Sequence, residues 1–235
     1  MKITVIHGSP RKGNTYEAAQ IFLDGVRERG DAEVREFFLP QDMPHFCTGC
    51  CSCVMKGEEK CPHAEAMQPI TESILESDGL LFTTPVYVMS ASGGMKVFLD
   101  HLAYWFMNHR PRPEMFRKQA FVITTAAGAG MKKAAEAVAV PLRYWGIRRV
   151  RRLGFRIMAL SWDEMQEKRR VKYEQKLRHS GVRFADSLRG KLPPPTLFTR
   201  FFFQICLMMQ RGNTYNAVER EYWKTNGWLD GKSPF

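Results

Sequence analysis

The sequence predicts an α/β fold: a three-layer sandwich around a five-stranded parallel sheet in the order 2-1-3-4-5, followed by a C-terminal helical extension. Three observations predict it. Short β-branched and apolar runs alternate with stretches of helical periodicity, the pattern of units whose crossovers keep the strands parallel. Loops of small and polar residues at 8–15, 84–92 and 125–130 each follow a strand run. In such a sheet all three lie at the strand carboxyl ends, where ligands bind. Finally, Pro193-Pro194-Pro195 breaks the chain and sets off a segment of different character.

The elements follow in order. Ile3 to Ile6 reads as a buried strand, and the helix that begins at Thr15 carries Ala18, Ile21, Phe22, Gly25 and Val26 on one face, with Gly30 closing it. Ala32 to Phe38 is the second strand. Residues 43–63 form an irregular loop rich in cysteine, longer than an ordinary connection and therefore expected to be functional. Met67, Ile70, Ile74 and Leu75 mark the next helix, and Leu80 to Thr84 the third strand. Met95, Phe98, Leu99, Leu102 and Phe106 make a single helical stripe. The fourth strand is Gln119 to Thr124, the next helix Met131 to Tyr144, and the fifth strand lies around Ile147 to Ile157. Ser161 with Glu164 three positions on reads as a capping box opening a helix that runs to about Leu188.

These elements make a domain of residues 1–190, and residues 191–235 form the extension. There Thr196 can cap a helix bearing Phe198, Phe201, Phe202, Ile205, Met208 and Met209, while Phe203 and Leu207 leave it apolar nearly all round. Such a helix must be buried or paired. Packing on the domain and pairing in a homodimer or dimer of dimers are its expected uses; membrane contact is not expected.

Composition excludes several classes. No apolar run approaches the ~20 residues that span a bilayer. Met1-Lys2-Ile3 leads straight into the first strand, so no cleavable signal is expected. The cysteines are then expected in a reducing cytoplasm, without structural disulfides. Net charge is +11, concentrated in Arg148-Arg149-Val150-Arg151-Arg152 with Arg156 and in Lys168-Arg169-Arg170-Val171-Lys172. No nucleic-acid-binding module accompanies these runs, so no nucleic-acid partner is expected. A charged edge strand and a solvated helix face account for them, and a basic field also attracts anionic small molecules.

Gly8-Ser9-Pro10-Arg11-Lys12-Gly13-Asn14-Thr15 lies between a strand and a helix N-terminus. Backbone N–H groups there lack intrahelical partners, and the helix dipole favours an anion. Ser9, Asn14 and Thr15 add neutral donors and Arg11 a charged one. Neither the triphosphate P-loop pattern nor Gly-x-Gly-x-x-Gly is present, which leaves a loop suited to one terminal phosphate.

His7 to Thr15 resembles the phosphate loop of the flavodoxin-like NAD(P)H-dependent FMN reductases. Thr84-Pro85-Val86-Tyr87 and Ser92-Gly93-Gly94-Met95-Lys96-Val97-Phe98-Leu99-Asp100-His101 resemble the same family. The resemblance spans roughly residues 1–160 and implies a flavodoxin-like fold with FMN as cofactor. By that resemblance Ser9, Arg11, Asn14 and Thr15 hold the FMN phosphate, and Gly13 lets the backbone approach it. Pro85, Val86 and Tyr87 form a second loop beside the flavin, and Thr125, Ala126 and Gly128 a third. The implied activity is ping-pong transfer from NAD(P)H to FMN and then to a quinone, nitro, azo or protein acceptor. The cofactor carries such chemistry, so no acid–base dyad is required, and none stands out. Asp100 and His101 read as structural or peripheral.

Cys47-x2-Cys50-x2-Cys53-x7-Cys61, with Cys51 interposed and Pro62 after the last, packs four thiols into fifteen residues. Thiolates spaced two apart can converge on one iron–sulfur cluster, and a Cys-Pro also ends the bacterial ferredoxin run. The spacing resembles the iron–sulfur flavoprotein branch of the same superfamily, which implies a [4Fe-4S] cluster and electron transfer between a ferredoxin-like donor and FMN. A four-cysteine zinc site competes, although paired knuckles with a longer spacer are absent. Small buried hydrophobes or a redox-active thiol pair are the remaining readings. Cys206, on the apolar helix, reads as core.

Overall fold

The computed structural model describes residues 1–235. Its strands are β1 (Lys2–His7), β2 (Glu33–Phe38), β3 (Gly79–Pro85), β4 (Gln119–Ala126) and β5 (Arg149–Arg156). They form one parallel sheet in the order β2-β1-β3-β4-β5. The helices are α1 (Asn14–Arg27), the short α2 (Ser52–Met55), α3 (Ala64–Glu76), α4 (Gly93–His101), α5 (Met131–Tyr144), α6 (Glu167–Arg189), α7 (Leu197–Arg211) and α8 (Ala217–Thr225).

The two faces of the sheet follow from the period-2 alternation of its central strands. Ile6, Leu80, Phe82, Ala120 and Val122 point to the side covered by α3, α4 and α5. Val5, Leu81, Phe121 and Ile123 point to the side covered by α1 and α6. β3 and β4 are buried on both faces and are correspondingly apolar. β5 is an edge, and its arginines keep that edge from templating another strand. α1 and α6 cross at near-contact of their backbones. A Cβ at Gly25 would sit 2.1 Å from the Arg178 carbonyl oxygen, and one at Gly181 2.0 Å from that of Phe22.

One expectation is corrected. The capping box at Ser161 and Glu164 does not form: α6 starts at Glu167, with Gln166 before it. The reason is Trp162 and Met165, both buried in the α1/α6 core. Burying them holds 161–166 as a turn, with Trp162 Nε1 donating to Glu174 at 3.1 Å and Met165 N to the Trp162 carbonyl at 3.3 Å.

Packing decides which side of α7 is covered. Thr196 caps it as expected, its hydroxyl accepting from Thr199 N at 3.0 Å. The buried face is Phe203, Cys206, Leu207 and Gln210. Phe203, Cys206 and Leu207 pack with Trp223 and Trp228 of the extension and with Met107 and Phe116 of the preceding chain in a third core. The stripe of Phe198, Phe201, Met208 and Met209 faces outward instead. Cys206 is core, as expected. No helix is long and apolar enough to cross a membrane.

Candidate functional site

The sheet topology brings the ends of β1, β3, β4 and β5 to one edge, and a cavity of about 280 Å³ opens there. Ser9, Arg11, Gly13, Asn14 and Thr15 line it from the first loop, Pro85, Val86 and Tyr87 from the second, and Thr125 and Ala126 from the end of β4. All the residues expected at a cofactor are therefore together except Gly128, which lies beyond the lining; Ala127 contributes in its place. Sequence reasoning missed Ile157, Ala159 and Leu160, which follow β5 and make the remaining wall. Their signal was topological, since a fifth parallel strand must also end at this edge.

Short contacts fix the loops relative to one another. The Thr15 and Thr125 hydroxyls are 2.5 Å apart, and Asn14 Nδ2 donates to the Leu160 carbonyl at 3.1 Å. Val86 N donates to the Thr125 carbonyl at 2.8 Å. Gly8 lies so close to the second loop that a Cβ would stand 2.8 Å from Ser92 Oγ and 3.1 Å from the Thr83 carbonyl. Gly130 has φ +96°, and a Cβ there would meet Val86 Cγ1 at 2.7 Å, so glycine is required on both counts.

The donors are unspent. Gly13 precedes α1 without a side-chain cap, so the first N–H groups of a fourteen-residue helix face the cavity edge unpartnered. Ser9 Oγ accepts from Arg11 N at 3.2 Å, which leaves its own proton free to donate. Arg11 is exposed and makes no ion pair, whereas Lys12 turns away and lies over the Tyr16 and Phe38 rings at 5.5 and 5.7 Å. Asn14 Oδ1 is buried without a donor. A ligand hydroxyl would satisfy it. Beneath the loop His7 bridges Thr83 Oγ1 at 2.9 Å and Glu36 Oε2 at 2.8 Å and stacks on Phe38. The His7 hydrogen bond outweighs burial and holds the Glu36 carboxyl below its ordinary range.

The cysteine loop is a separate feature. Cys47, Cys50 and Cys51 are exposed, and Cys53 and Cys61 are half-buried. Burial raises the Cys53 thiol, and the neighbouring Cys61, Cys47 and Cys50 add to the effect. The Ser52 backbone N–H, then its hydroxyl, draws Cys50 down. The thiols are not closed into a metal-holding arrangement. In residue type and spacing along the chain they nevertheless suit a cluster, which Cys47, Cys50, Cys53 and Cys61 would hold.

What fixes this loop was invisible in the local sequence. Arg110, only 3 % exposed, donates to the Val54 carbonyl at 2.9 Å, to the Cys53 carbonyl and to Glu58 at 2.9 Å. Arg112 also binds Glu58. Burial pushes the Glu58 carboxyl up, but the two guanidiniums prevail and hold it low. Asn216, the cap of α8, donates to the Val54 carbonyl at 3.1 Å. Alongside, His45 stacks on His63 at 4.7 Å, and His63 Nδ1 meets His101 Nε2 at 3.0 Å. His101 Nδ1 donates to the Val97 carbonyl at 2.8 Å, so its Nε2 is the acceptor in that pair. These contacts tie His101 to its own helix and to the cysteine loop.

An open parallel sheet, a phosphate-type loop at a helix N-terminus and a partly apolar cleft at the strand ends define a binder of a phosphorylated planar cofactor. Comparison with known proteins sharpens this. The chain belongs to the NADPH-dependent FMN reductase family, whose model matches residues 1–156. An iron-sulfur flavoprotein of Methanocaldococcus jannaschii is 36 % identical over 100 residues, covering 43 % of this chain and 50 % of that protein. An iron-sulfur flavoprotein of Archaeoglobus fulgidus is 31 % identical over 149 residues, covering 63 % and 64 %. This chain thus spans between half and two thirds of the length of these relatives. Among solved structures, an azoreductase of Bacillus anthracis superposes with a TM-score of 0.61 at 14 % identity, over 78 % of this chain and all of that one. At that identity the likeness establishes the flavodoxin-like fold alone.

Proposed function

We propose that this chain is an FMN-dependent oxidoreductase that takes electrons from NAD(P)H and passes them, in a second half-reaction, to a quinone, nitro, azo or protein acceptor. The observation that carries the reading is the single cavity in which ten expected cofactor contacts meet, with Asn14 Oδ1 buried there and lacking a donor. When bound, FMN supplies the two-electron chemistry. The protein's part is orientation and charge. Arg11, Ser9 and the open N–H groups of α1 would hold the phosphate. Asn14 is expected at the phosphate, but its Nδ2 is spent on the Leu160 carbonyl, so its Oδ1 would instead accept from a ligand hydroxyl. Pro85, Val86, Tyr87, Ala159 and Leu160 would wall the ring system and limit its contact with water. The α5 N-terminus, lacking a side-chain cap, turns its positive dipole end toward the same sheet edge and favours negative charge there.

Titration of apoprotein with FMN tests this. One FMN per chain should bind, and NADPH should bleach its absorbance before an acceptor restores it. A flavin bound without any reduction by NADPH or NADH would sink the activity while sparing the site.

The spacing of Cys47, Cys50, Cys53 and Cys61, together with the relatives named iron-sulfur flavoproteins, favours a second reading. In it Cys47, Cys50, Cys53 and Cys61 hold a [4Fe-4S] cluster that supplies one-electron capacity, and the physiological donor is a ferredoxin-like protein. Stoichiometric iron in anaerobically purified protein, with poor NAD(P)H oxidation, would select it.

A further inference from the structure

We infer that the mouth of the cofactor cavity is a slot for an uncharged, planar-ring electron acceptor, selected by Val88, Met89, Met158 and Leu160; the assignment rests on the FMN-dependent reading above. The strand order sets the loops after β3, β4 and β5 side by side. The middle loop is the floor, where Ala127, Gly128 and Ala129 are exposed and carry almost no side chain. Tyr87, Val88 and Met89 flank it on the β3 side, Met158 and Leu160 on the β5 side. Tyr87, Ala127 and Leu160 line the cavity itself, so the slot opens onto the cofactor site. Val88 is 99 % exposed, Leu160 89 % and Met158 60 %.

Backbone holds the walls in place. Tyr87 and Ser90 exchange two hydrogen bonds of 3.0 Å, which makes Val88 and Met89 the tip of a two-residue hairpin. Both have positive φ, +48° and +63°. Such tips favour Asn-Gly, and a β-branched residue is strained there. Met158, across the floor, has φ +55°. Strain of this kind gathers at ligand-binding sites. Met89 is also seated on the floor: a Cβ at Gly130 would lie 3.2 Å from its Cα and 3.3 Å from its Sδ.

Charge decides the occupant. No residue of 85–91, 125–131 or 157–162 is charged, although the chain carries 35 Lys and Arg and 24 Asp and Glu. Arg11 is the one charged residue lining the cavity, and the FMN phosphate would neutralise it. Around the mouth, Arg156 precedes the β5 wall, and Asp163, paired with Arg170 at 3.5 Å, and Glu164 follow it. Lys132 and Lys133 begin α5 beyond the floor. None of these lines the cavity. A charged group entering the slot would lose water and find no partner, which is costly. An uncharged ring gives up only unfavourable contact with water and gains an apolar wall on either side. A redox protein is steered by charge complementarity, which this mouth lacks.

Equilibrium binding to FMN-loaded protein tests this without turnover. Titrations followed by flavin fluorescence should show naphthol bound about tenfold or more tighter than naphthalene sulfonate, the same rings with a charge. With NADPH as donor, naphthoquinone should have a lower KM than its sulfonate. V88K/M158K adds two cations at exposed positions outside the FMN contacts. It should cut the preference for naphthol about fivefold while FMN affinity is unchanged. Equal binding of the two probes, or tighter binding of the sulfonate, would overturn the proposal. So would a preference that V88K/M158K leaves intact, or a dimer in sedimentation equilibrium that this variant dissociates, because a second copy would then cover the mouth. FMN that binds but is not reduced by NADPH would remove the activity alone, and the naphthol titration would still decide the slot.

Discussion

Arg11 and Gly8 carry the site in different ways, one by charge and the other by having no side chain. Arg11 has no acidic partner to release, so its guanidinium is available to an anion. A hydrogen bond to a charged group is worth about 1.5–3 kcal/mol, so Arg11→Ala should weaken FMN binding between about tenfold and a hundredfold in a fluorescence titration; unchanged affinity would remove the phosphate assignment. Gly8→Val places carbon where Ser92 Oγ and the Thr83 carbonyl already stand and should cost more binding than Arg11→Ala. Away from the site, Lys118 donates to the Leu75 carbonyl at 2.8 Å and to that of Ser77, and burial brings its ammonium down to about 8. Above that pH the folded chain gives up a proton that the unfolded chain keeps until near 10.5. The unfolded state then binds more protons, so the contribution to stability rises across this window, by at most about 1.4 kcal/mol per pH unit. In urea unfolding the wild type should gain stability relative to K118M between those limits, and a difference independent of pH would contradict the account. His7 and Glu36 could not be paired from sequence, because their contact depends on the β1–β2 register.

Helices and loops show where local sequence spoke clearly and where it was overruled. The periodic stretches gave α1, α3, α5 and their sheet partners because each has one apolar face and one partner layer. The Ser161 capping box was chemically sound, yet burial of Trp162 and Met165 in the core was worth more than a cap of about 1 kcal/mol. The covered side of α7 was not legible for a different reason. A helix apolar nearly all round has no moment that tells which side is covered, and Trp223 and Trp228, further along the chain, decide it. Close approach of α1 and α6 depends on the absence of a side chain at two points. Gly181→Ala should destabilise by about 1–3 kcal/mol, the usual cost of overpacking, read as a lower urea midpoint; an unshifted midpoint would show that the crossing relaxes freely. Asn216→Ala removes both the α8 cap and the hydrogen bond to Val54. It should cost about 1–2 kcal/mol and speed alkylation of Cys53, because α8 no longer clamps the cysteine loop. If Cys53 reacts no faster, the clamp is Arg110 alone.

Across the whole molecule, chemistry-bearing residues stand at the sheet's carboxyl edge and in one loop pinned from the far end of the chain. The three cofactor loops were legible because each is local and follows a strand, and topology alone then gathers them. The Arg110–Glu58–Asn216 clamp was not, since its members are separated by up to 158 positions and none belongs to a motif. This division of labour, with a local ligand cradle and a long-range brace for the thiols, leaves the cofactor to supply reactivity and the protein to supply geometry. The central claim is that the cavity binds FMN through Arg11 and the α1 N-terminus. The most direct measurement is a titration of apoprotein with FMN, run in parallel with riboflavin, which lacks the phosphate. Saturation at one FMN per chain is expected, with riboflavin bound at least a hundredfold more weakly. Equal affinity for the two, or binding of neither, would contradict it.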